Sequence, residues 1–165
     1  MVRSSRIRVV RPVYSAAVRT LAHSCGPGLK VNGWSRVSPT TILGENVNFN
    51  GMQISGVGQV SIGNNFHSGR ECLMIAQIHN YEGESLPYDT TLLSRDISIG
   101  DNVWLGDRVI VLGGAVIGEG AIIQAGSVVV GEVPPLAIAG GHPATAFRYR
   151  DQDHYGRLKA AGRFL

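Results

Sequence analysis

Aliphatic residues recur at every sixth position between residues 97 and 133. Counted in hexads from Ile99, the first position is always aliphatic and the fifth is always small or branched. The first positions are Ile99, Leu105, Val111, Ile117, Ile123 and Val129, and the fifth are Val103, Val109, Ala115, Ala121, Ser127 and Val133. A period of six matches neither a helix nor an alternating strand. It is typical of a solenoid whose stacked coils share one core. We therefore predict an all-β solenoid of hexapeptide repeats, whose handedness and number of hexads per turn the period leaves open.

The first half of the chain carries the same period less regularly, beginning near Ile42 and with one residue inserted near Ile54. Residues 79–92 fit no hexad, so we predict a polar loop that leaves the solenoid wall. Such loops often carry function on a rigid scaffold. We divide the chain into a basic N-terminal arm or cap at 1–40, a β-helix at 41–135 that includes this loop, and a C-terminal segment with a helix at 136–165.

The sixth position of each hexad lies between two inward residues, so its side chain is expected to point outward. In the second half of the chain these positions are Trp104, Ile110, Val116, Ile122 and Val128, all of them apolar. A monomer rarely exposes so large an apolar patch, so we predict that another subunit, a ligand or both cover this wall. In the first half the same row includes His67 and His79, and His79 stands where the wall ends and the loop begins.

The N-terminal arm is basic, because residues 1–44 contain seven Lys and Arg residues and no acidic residue. Its apolar spacing predicts an amphipathic helix that ends before a Gly-Pro-Gly turn. The predicted apolar face consists of Val13, Ala16, Ala17 and Leu21. We expect this helix to pack on the open end of the solenoid. The alternative is weak contact with an anionic membrane surface, or with a polyanionic substrate.

Two further features concern location. No apolar run is long enough for a membrane span or a signal peptide. The two cysteines, Cys25 and Cys72, form no disulfide framework and no metal-binding spacing. We therefore predict a cytoplasmic protein, peripheral to the membrane if the arm contacts lipid, and no nucleic-acid partner.

Four stretches carry a resemblance to a known family. They are IGDNVWLG from Ile99 to Gly106, VIGEGA from Val116 to Ala121, QAGSVV from Gln124 to Val129, and GGHPA from Gly140 to Ala144. In this order and spacing they resemble the hexapeptide-repeat acyltransferases of the maltose and galactoside O-acetyltransferase kind, over about residues 41–150. The resemblance implies a left-handed parallel β-helix with three hexads per turn. It also implies a homotrimer, with acetyl-CoA in the cleft between adjacent subunits.

The same resemblance implies site residues. His79 matches the histidine at the start of the loop that acts as general base, and imidazole suits proton transfer near neutral pH. The positions that match contacts to CoA are Trp104, Asp107, Ala125, Arg148 and Arg150. The chain departs from the family pattern at Val130-Gly131 and at Thr145, which removes two polar or cationic contacts to CoA. The loop residues expected to contact the acceptor are Asn80, Tyr81, Glu82 and Tyr88. Glu82 could instead orient the His79 ring.

Together these features predict acetyl-CoA-dependent O-acetylation of a sugar or polysaccharide precursor. An antibiotic or the amine of an amino sugar is the alternative acceptor, and a non-catalytic solenoid scaffold is a further alternative. A zinc-dependent hydratase on the same solenoid, as in the γ-type carbonic anhydrases, is disfavoured. Zinc there needs three converging histidines, whereas the five histidines of this chain are scattered. No metal is therefore predicted.

Overall fold

The computed structural model describes residues 2–165, and the side chains of its first helix from Val10 onward. The chain forms a parallel β-helix whose coils carry one short strand on each of three faces, which we name A, B and C. Strands are numbered in chain order. Face A contains β1 (Ser24–Cys25), β3 (Thr41–Leu43), β6 (Val60–Ile62), β11 (Ile97–Ile99), β14 (Val116–Ile117) and β17 (Glu132–Val133). Face C contains β5 (Met52–Ser55), β8 (Cys72–Ile75), β13 (Ile110–Leu112) and β16 (Val128–Val129).

Face B is the longest sheet and ends in an antiparallel hairpin. Its parallel strands are β2 (Lys30–Val31), β4 (Asn48–Phe49), β7 (His67–Ser68), β12 (Trp104–Leu105), β15 (Ile122–Ile123) and β18 (Ala137–Gly141). The last strand, β19 (Ala144–Tyr149), folds back antiparallel onto β18 through a turn at His142-Pro143. The arrangement matches the left-handed β-helix with three hexads per turn that the resemblance implies.

The hexad positions predicted to point inward are buried, so the solenoid prediction is confirmed. Leu105 and Ile123 are fully buried, as are the fifth-position residues Val109 and Ala121. Val128 pairs with the half-buried Ile110 in the outward row, and its side chain is only 7% exposed because the rest of the chain covers it. Its neighbour Ser127 accepts a hydrogen bond at Oγ from the Gly141 amide (3.2 Å), which brings the β18–β19 hairpin to this corner.

The solenoid begins earlier than the boundary at residue 41 that the sequence predicts. β1 and β2 lie within the segment assigned to the arm, and they pair in parallel with β3 and β4 of the next coil. Val31 and Val37, six residues apart, are buried at first positions of this coil. The residues between them, Asn-Gly-Trp-Ser-Arg, carry no aliphatic side chain, and this hides the repeat in the sequence. The arm proper is therefore the helix that precedes Ser24.

Helix α1 (Val2–Leu21) covers the open end of the solenoid. Val18 is fully buried, Tyr14 packs against the core, and Ser15 Oγ accepts a hydrogen bond from the Val31 amide (3.1 Å). The predicted contact face is wrong, since Val13, Ala16, Ala17 and Leu21 are all exposed. The helix instead turns Tyr14, Ser15 and Val18 toward the solenoid, and burial of the two apolar side chains, Tyr14 and Val18, stabilises this orientation. Within residues 2–165, no helix is both long and apolar enough to cross a membrane.

The loop and the C-terminal helix complete the fold. β9 (Gln77–His79) and β10 (Leu92–Ser94) pair antiparallel and form the stem of the loop, which leaves the solenoid at the corner between faces C and A. Helix α2 (Gln152–Ala160) is capped by Asp151, whose side chain accepts a hydrogen bond from the His154 amide. The helix is held at the corner between faces A and B by Tyr155. Burial and the hydrogen bond to Glu119 raise the pKa of Tyr155 to about 12.

Candidate active site

His79 is the last residue of β9 and lies at the root of the loop with an exposed side chain. Its imidazole stacks on the ring of Tyr88, with the two centroids 4.0 Å apart and the planes inclined by 20°. On the paired strand, Leu92 lies opposite His79. The imidazole is therefore held against an aromatic ring and is still open to a ligand.

Asp89 organises the loop around this pair. Its Oδ1 accepts a hydrogen bond from the Thr91 amide (2.8 Å), and its Oδ2 accepts one from Asn80 Nδ2 (3.3 Å). The Asp89 amide also donates to the Asn80 carbonyl (3.2 Å). The hydrogen bond from the Thr91 amide is the main cause that lowers the pKa of Asp89. Asp89 is absent from the residues predicted for the site, because nothing in the polar loop sequence distinguishes it from its neighbours.

The remaining loop residues do not hold the imidazole. Tyr81 is 62% exposed and Glu82 is exposed. Within the described part of the chain, no hydrogen bond joins Glu82 to His79. The suggestion that Glu82 orients the ring is therefore wrong, and stacking on Tyr88 does this instead. Asn80 is tied to Asp89, so its amide serves the shape of the loop.

One row of outward side chains crosses the whole of face B at matched register. In order across the strands it contains Lys30, Asn48, His67, Trp104, Ile122, Ile138 and Arg148. We call it the central row. Trp104 and Arg148, two residues predicted to contact CoA, are three strands apart in this row, or about 14 Å at a strand spacing of about 4.8 Å. Trp104 is 51% exposed, so its indole is available to a ligand or a neighbouring subunit.

Asp107 and Ala125 meet at the corner between faces B and C. A shallow depression of about 440 Å³ lies there, lined by Arg70, Glu71, Asp107, Arg108, Ala125 and Gly126. The Asp107 carboxylate accepts a hydrogen bond from the Arg70 amide (2.8 Å), and the Asp107 carbonyl accepts one from the Gly126 amide (2.9 Å). Asp107 therefore stabilises the stacked turns, and only the rest of the depression is open to a ligand.

Arg150, also predicted to contact CoA, lies apart from Asp107 and Ala125. Its Nη1 donates to the Gly120 carbonyl (3.1 Å), and its guanidinium lies 4.8 Å from the centre of the Tyr155 ring. These contacts anchor helix α2 at the corner between faces A and B, away from the depression at the B–C corner. Among residues 2–165, no group of three or more His, Cys, Asp or Glu side chains is placed to hold a metal ion.

Comparisons with known proteins agree with this architecture. The bacterial transferase hexapeptide family (six repeats) matches residues 96–131. Galactoside O-acetyltransferase of Escherichia coli is 34% identical over 67 residues, which are 39% of this chain and 33% of that protein. The chain spans between 28% and 44% of the length of such curated relatives.

Two solved structures share the fold over most of the chain. Galactoside acetyltransferase in complex with coenzyme A has a TM-score of 0.72 and 26% identity, covering 84% of this chain and 70% of that one. A hexapeptide-repeat acetyltransferase of Vibrio cholerae, complexed with acetyl-CoA, has a TM-score of 0.65 and 25% identity, covering 90% and 84%. The chain therefore carries the bacterial transferase hexapeptide repeat over residues 96–131, and it is similar in fold and sequence to acetyltransferases such as galactoside O-acetyltransferase.

Proposed function

We propose that this protein is an acetyl-CoA-dependent O-acetyltransferase that acts on a sugar or a polysaccharide precursor. The observation that carries the proposal is the His79 imidazole, exposed at the root of the loop and held by Tyr88. Two similar structures contain coenzyme A or acetyl-CoA, which supports the choice of donor.

In this proposal His79 is the general base. The thioester is already activated, so the reaction needs no covalent enzyme intermediate. The imidazole takes the proton from the acceptor hydroxyl while the hydroxyl oxygen forms a bond to the thioester carbonyl carbon. The carbon–sulfur bond then breaks, and the imidazolium returns the proton to the leaving thiolate. A base of this kind contributes about 10²–10⁴-fold to the rate.

The central row of face B fits the donor. Trp104, Ile122 and Ile138 form an apolar strip, and Arg148 places a cation at its far end. This order suits a pantetheine arm that ends in phosphates, since guanidinium binds phosphate oxygens well. Arg148 supplies the cation at this end of the central row, where Val130-Gly131 and Thr145 offer none. The exposed backbone around Ala125 adds contacts at the neighbouring corner.

The position of the central row supports a homotrimer with active sites between subunits. His79 leaves the solenoid at the corner between faces C and A, and that corner is opposite face B in a three-sided solenoid. His79 and the apolar strip of Trp104, Ile122 and Ile138 in one chain therefore point in different directions. A neighbouring subunit that covers face B would bring its own His79 to the strip, and would also cover the exposed Trp104.

The test is acetyl-CoA turnover, followed by release of free thiol, with a panel of sugars, nucleotide sugars, amino sugars and antibiotics. We expect release that depends on a hydroxyl acceptor and falls by about 10²–10⁴-fold in His79→Ala. His154→Ala is the matched control, because His154 is an exposed histidine on helix α2. Sedimentation is expected to show three times the chain mass of 17.6 kDa. Failure to bind acetyl-CoA would leave the scaffold alternative, and an equal loss in both variants would contradict the role of His79.

A further inference from the structure

A directed chain of hydrogen bonds runs from helix α1 to the first strands of face B. Arg11 Nε donates to Asn32 Oδ1 (2.8 Å). A guanidinium has donors only, so this contact determines which end of the Asn32 amide is the oxygen. Asn32 Nδ2 then donates to two neighbouring amides, at Asn48 Oδ1 (2.9 Å) and Asn50 Oδ1 (3.0 Å). The orientation of three asparagine amides thus follows from one arginine.

The same chain determines the tautomer of His67. With Oδ1 of Asn50 accepting from Asn32, its Nδ2 donates to the Ser68 carbonyl (2.7 Å) and to His67 Nε2 (3.2 Å). His67 Nε2 is therefore the acceptor, and the neutral imidazole carries its proton on Nδ1. Burial, and then the charge of Lys30, lower the pKa of His67, which agrees with a neutral ring.

As a result, the free polar groups at this end of the central row are donors. Within the described part of the chain, Asn48 Nδ2 and His67 Nδ1 have no protein partner. Lys30 Nζ uses one of its three protons on Asn46 Oδ1 (3.1 Å). Lys30, Asn48 and His67 are consecutive in the row, about 4.8 Å apart from strand to strand, and we call them the donor row. No position of the central row is acidic.

We propose that the donor row binds an oxyanion, a carboxylate or a phosphate, that the acceptor carries. An oxyanion accepts several hydrogen bonds at once, and N–H donors beside a cation suit it better than they suit a neutral hydroxyl. Trp104 follows His67 directly in the row and offers an aromatic face to the apolar side of a sugar ring. This inference rests on the proposed function, and it narrows the acceptor class to anionic sugars.

Direct binding tests the inference without acetyl transfer. The probes are glucuronate, glucose 6-phosphate, neutral glucose and inorganic phosphate, titrated into the full-length chain. We expect both anionic sugars to bind at least about tenfold tighter than glucose, as one charged hydrogen bond would provide. Lys30→Met and Asn48→Ala are expected to reduce this ratio. Lys159→Met is the matched control, because it removes one positive charge at helix α2, outside the donor row. If inorganic phosphate binds as tightly as glucose 6-phosphate, the donor row binds a free anion and does not recognise a sugar. This result would overturn the proposal.

A second measurement needs no variant. Nitrogen NMR of the histidine rings reads the tautomer directly, and we expect His67 to carry its proton on Nδ1 and to shift when glucuronate is added. A proton on Nε2, or equal binding of glucuronate and glucose, would overturn the donor row. Acetyl transfer without anion preference would leave the proposed function standing and remove this inference. If the protein prefers anionic sugars, loses this preference in Lys30→Met and transfers acetyl to no acceptor, the donor row binds anions but the proposed function is wrong.

Discussion

The imidazole of His79 lies almost parallel to the ring of Tyr88, with 4.0 Å between their centroids. The two residues belong to opposite ends of the loop, and Asp89 holds the loop closed through Asn80 and Thr91. The stack therefore couples the orientation of the proposed base to the fold of the whole loop. If His79 is the base, Tyr88 is a positioning residue, because its ring contacts the imidazole.

The first prediction tests whether the ring or the hydroxyl of Tyr88 supports kcat. Tyr88→Phe keeps the stacked ring, so kcat is expected to stay close to that of the wild type. Tyr88→Leu frees the imidazole and is expected to lower kcat by about 10–100-fold, with KM for acetyl-CoA unchanged. Steady-state kinetics of the two variants check this. Equal effects of both substitutions would assign the role to the hydroxyl instead of the stack.

The second prediction concerns pH and His67. In the unfolded chain the pKa of a histidine is about 6.5, and in the fold burial and the charge of Lys30 lower the pKa of His67. The unfolded state then binds more protons between the two values, so the free energy of unfolding rises with pH through that window. The stabilisation is complete above about pH 6.5 and is lost as pH falls through the lower pKa of the folded state.

Urea unfolding at several pH values between about 7.5 and 5 measures this dependence. His67→Gln removes the titrating group, so its free energy of unfolding is expected to vary less with pH than that of the wild type over this range. His154→Gln is the control, since His154 is exposed. A pH dependence in the His67 variant that matches the wild type would contradict the assignment.

The third prediction tests how closely the coils stack. A Cβ built at Gly106 would lie 2.5 Å from the Ala125 amide nitrogen and 2.9 Å from the Ala125 Cα on the next coil. Gly106→Ala is therefore expected to destabilise the chain by about 1–3 kcal/mol, because backbone atoms must move apart. Gly131→Ala is the control, since nothing lies within 4 Å of its Cβ position, and its effect is expected within about 0.5 kcal/mol. Chemical denaturation compares the two variants.

The fourth prediction concerns the helix face that the solenoid leaves exposed. Val13 is 65% exposed on helix α1, and the first 23 residues contain five arginines and no acidic residue. Weak binding to an anionic membrane surface therefore stays a prediction of the sequence. Co-sedimentation with anionic vesicles is expected to exceed that with neutral vesicles and to fall in Val13→Asp and at high salt. Equal sedimentation with both vesicle types would exclude the contact.

The sequence alone determined the solenoid. Each inward position faces the same core in every coil, so a period of six residues is visible wherever the coils are regular, as from Ile99 to Val129. The loop followed from the lapse of that period, and the role proposed for His79 followed from the resemblance, since His79 matches the histidine at the start of the loop. The first coil was missed because a proline and polar residues interrupt its hexads between Cys25 and Val37.

The tertiary structure decided which residues are neighbours along the wall. On the parallel strands, members of the central row are 16 to 19 residues apart from one coil to the next, but Trp104 follows His67 by 37 residues, because the loop intervenes. A hexad count cannot assign that register, nor can it show that Arg11 orients three amides and the His67 ring. Periodicity records only which side chains face the core. Contacts along the outer wall depend on coil length and strand register, and those arise only when the whole chain is wound.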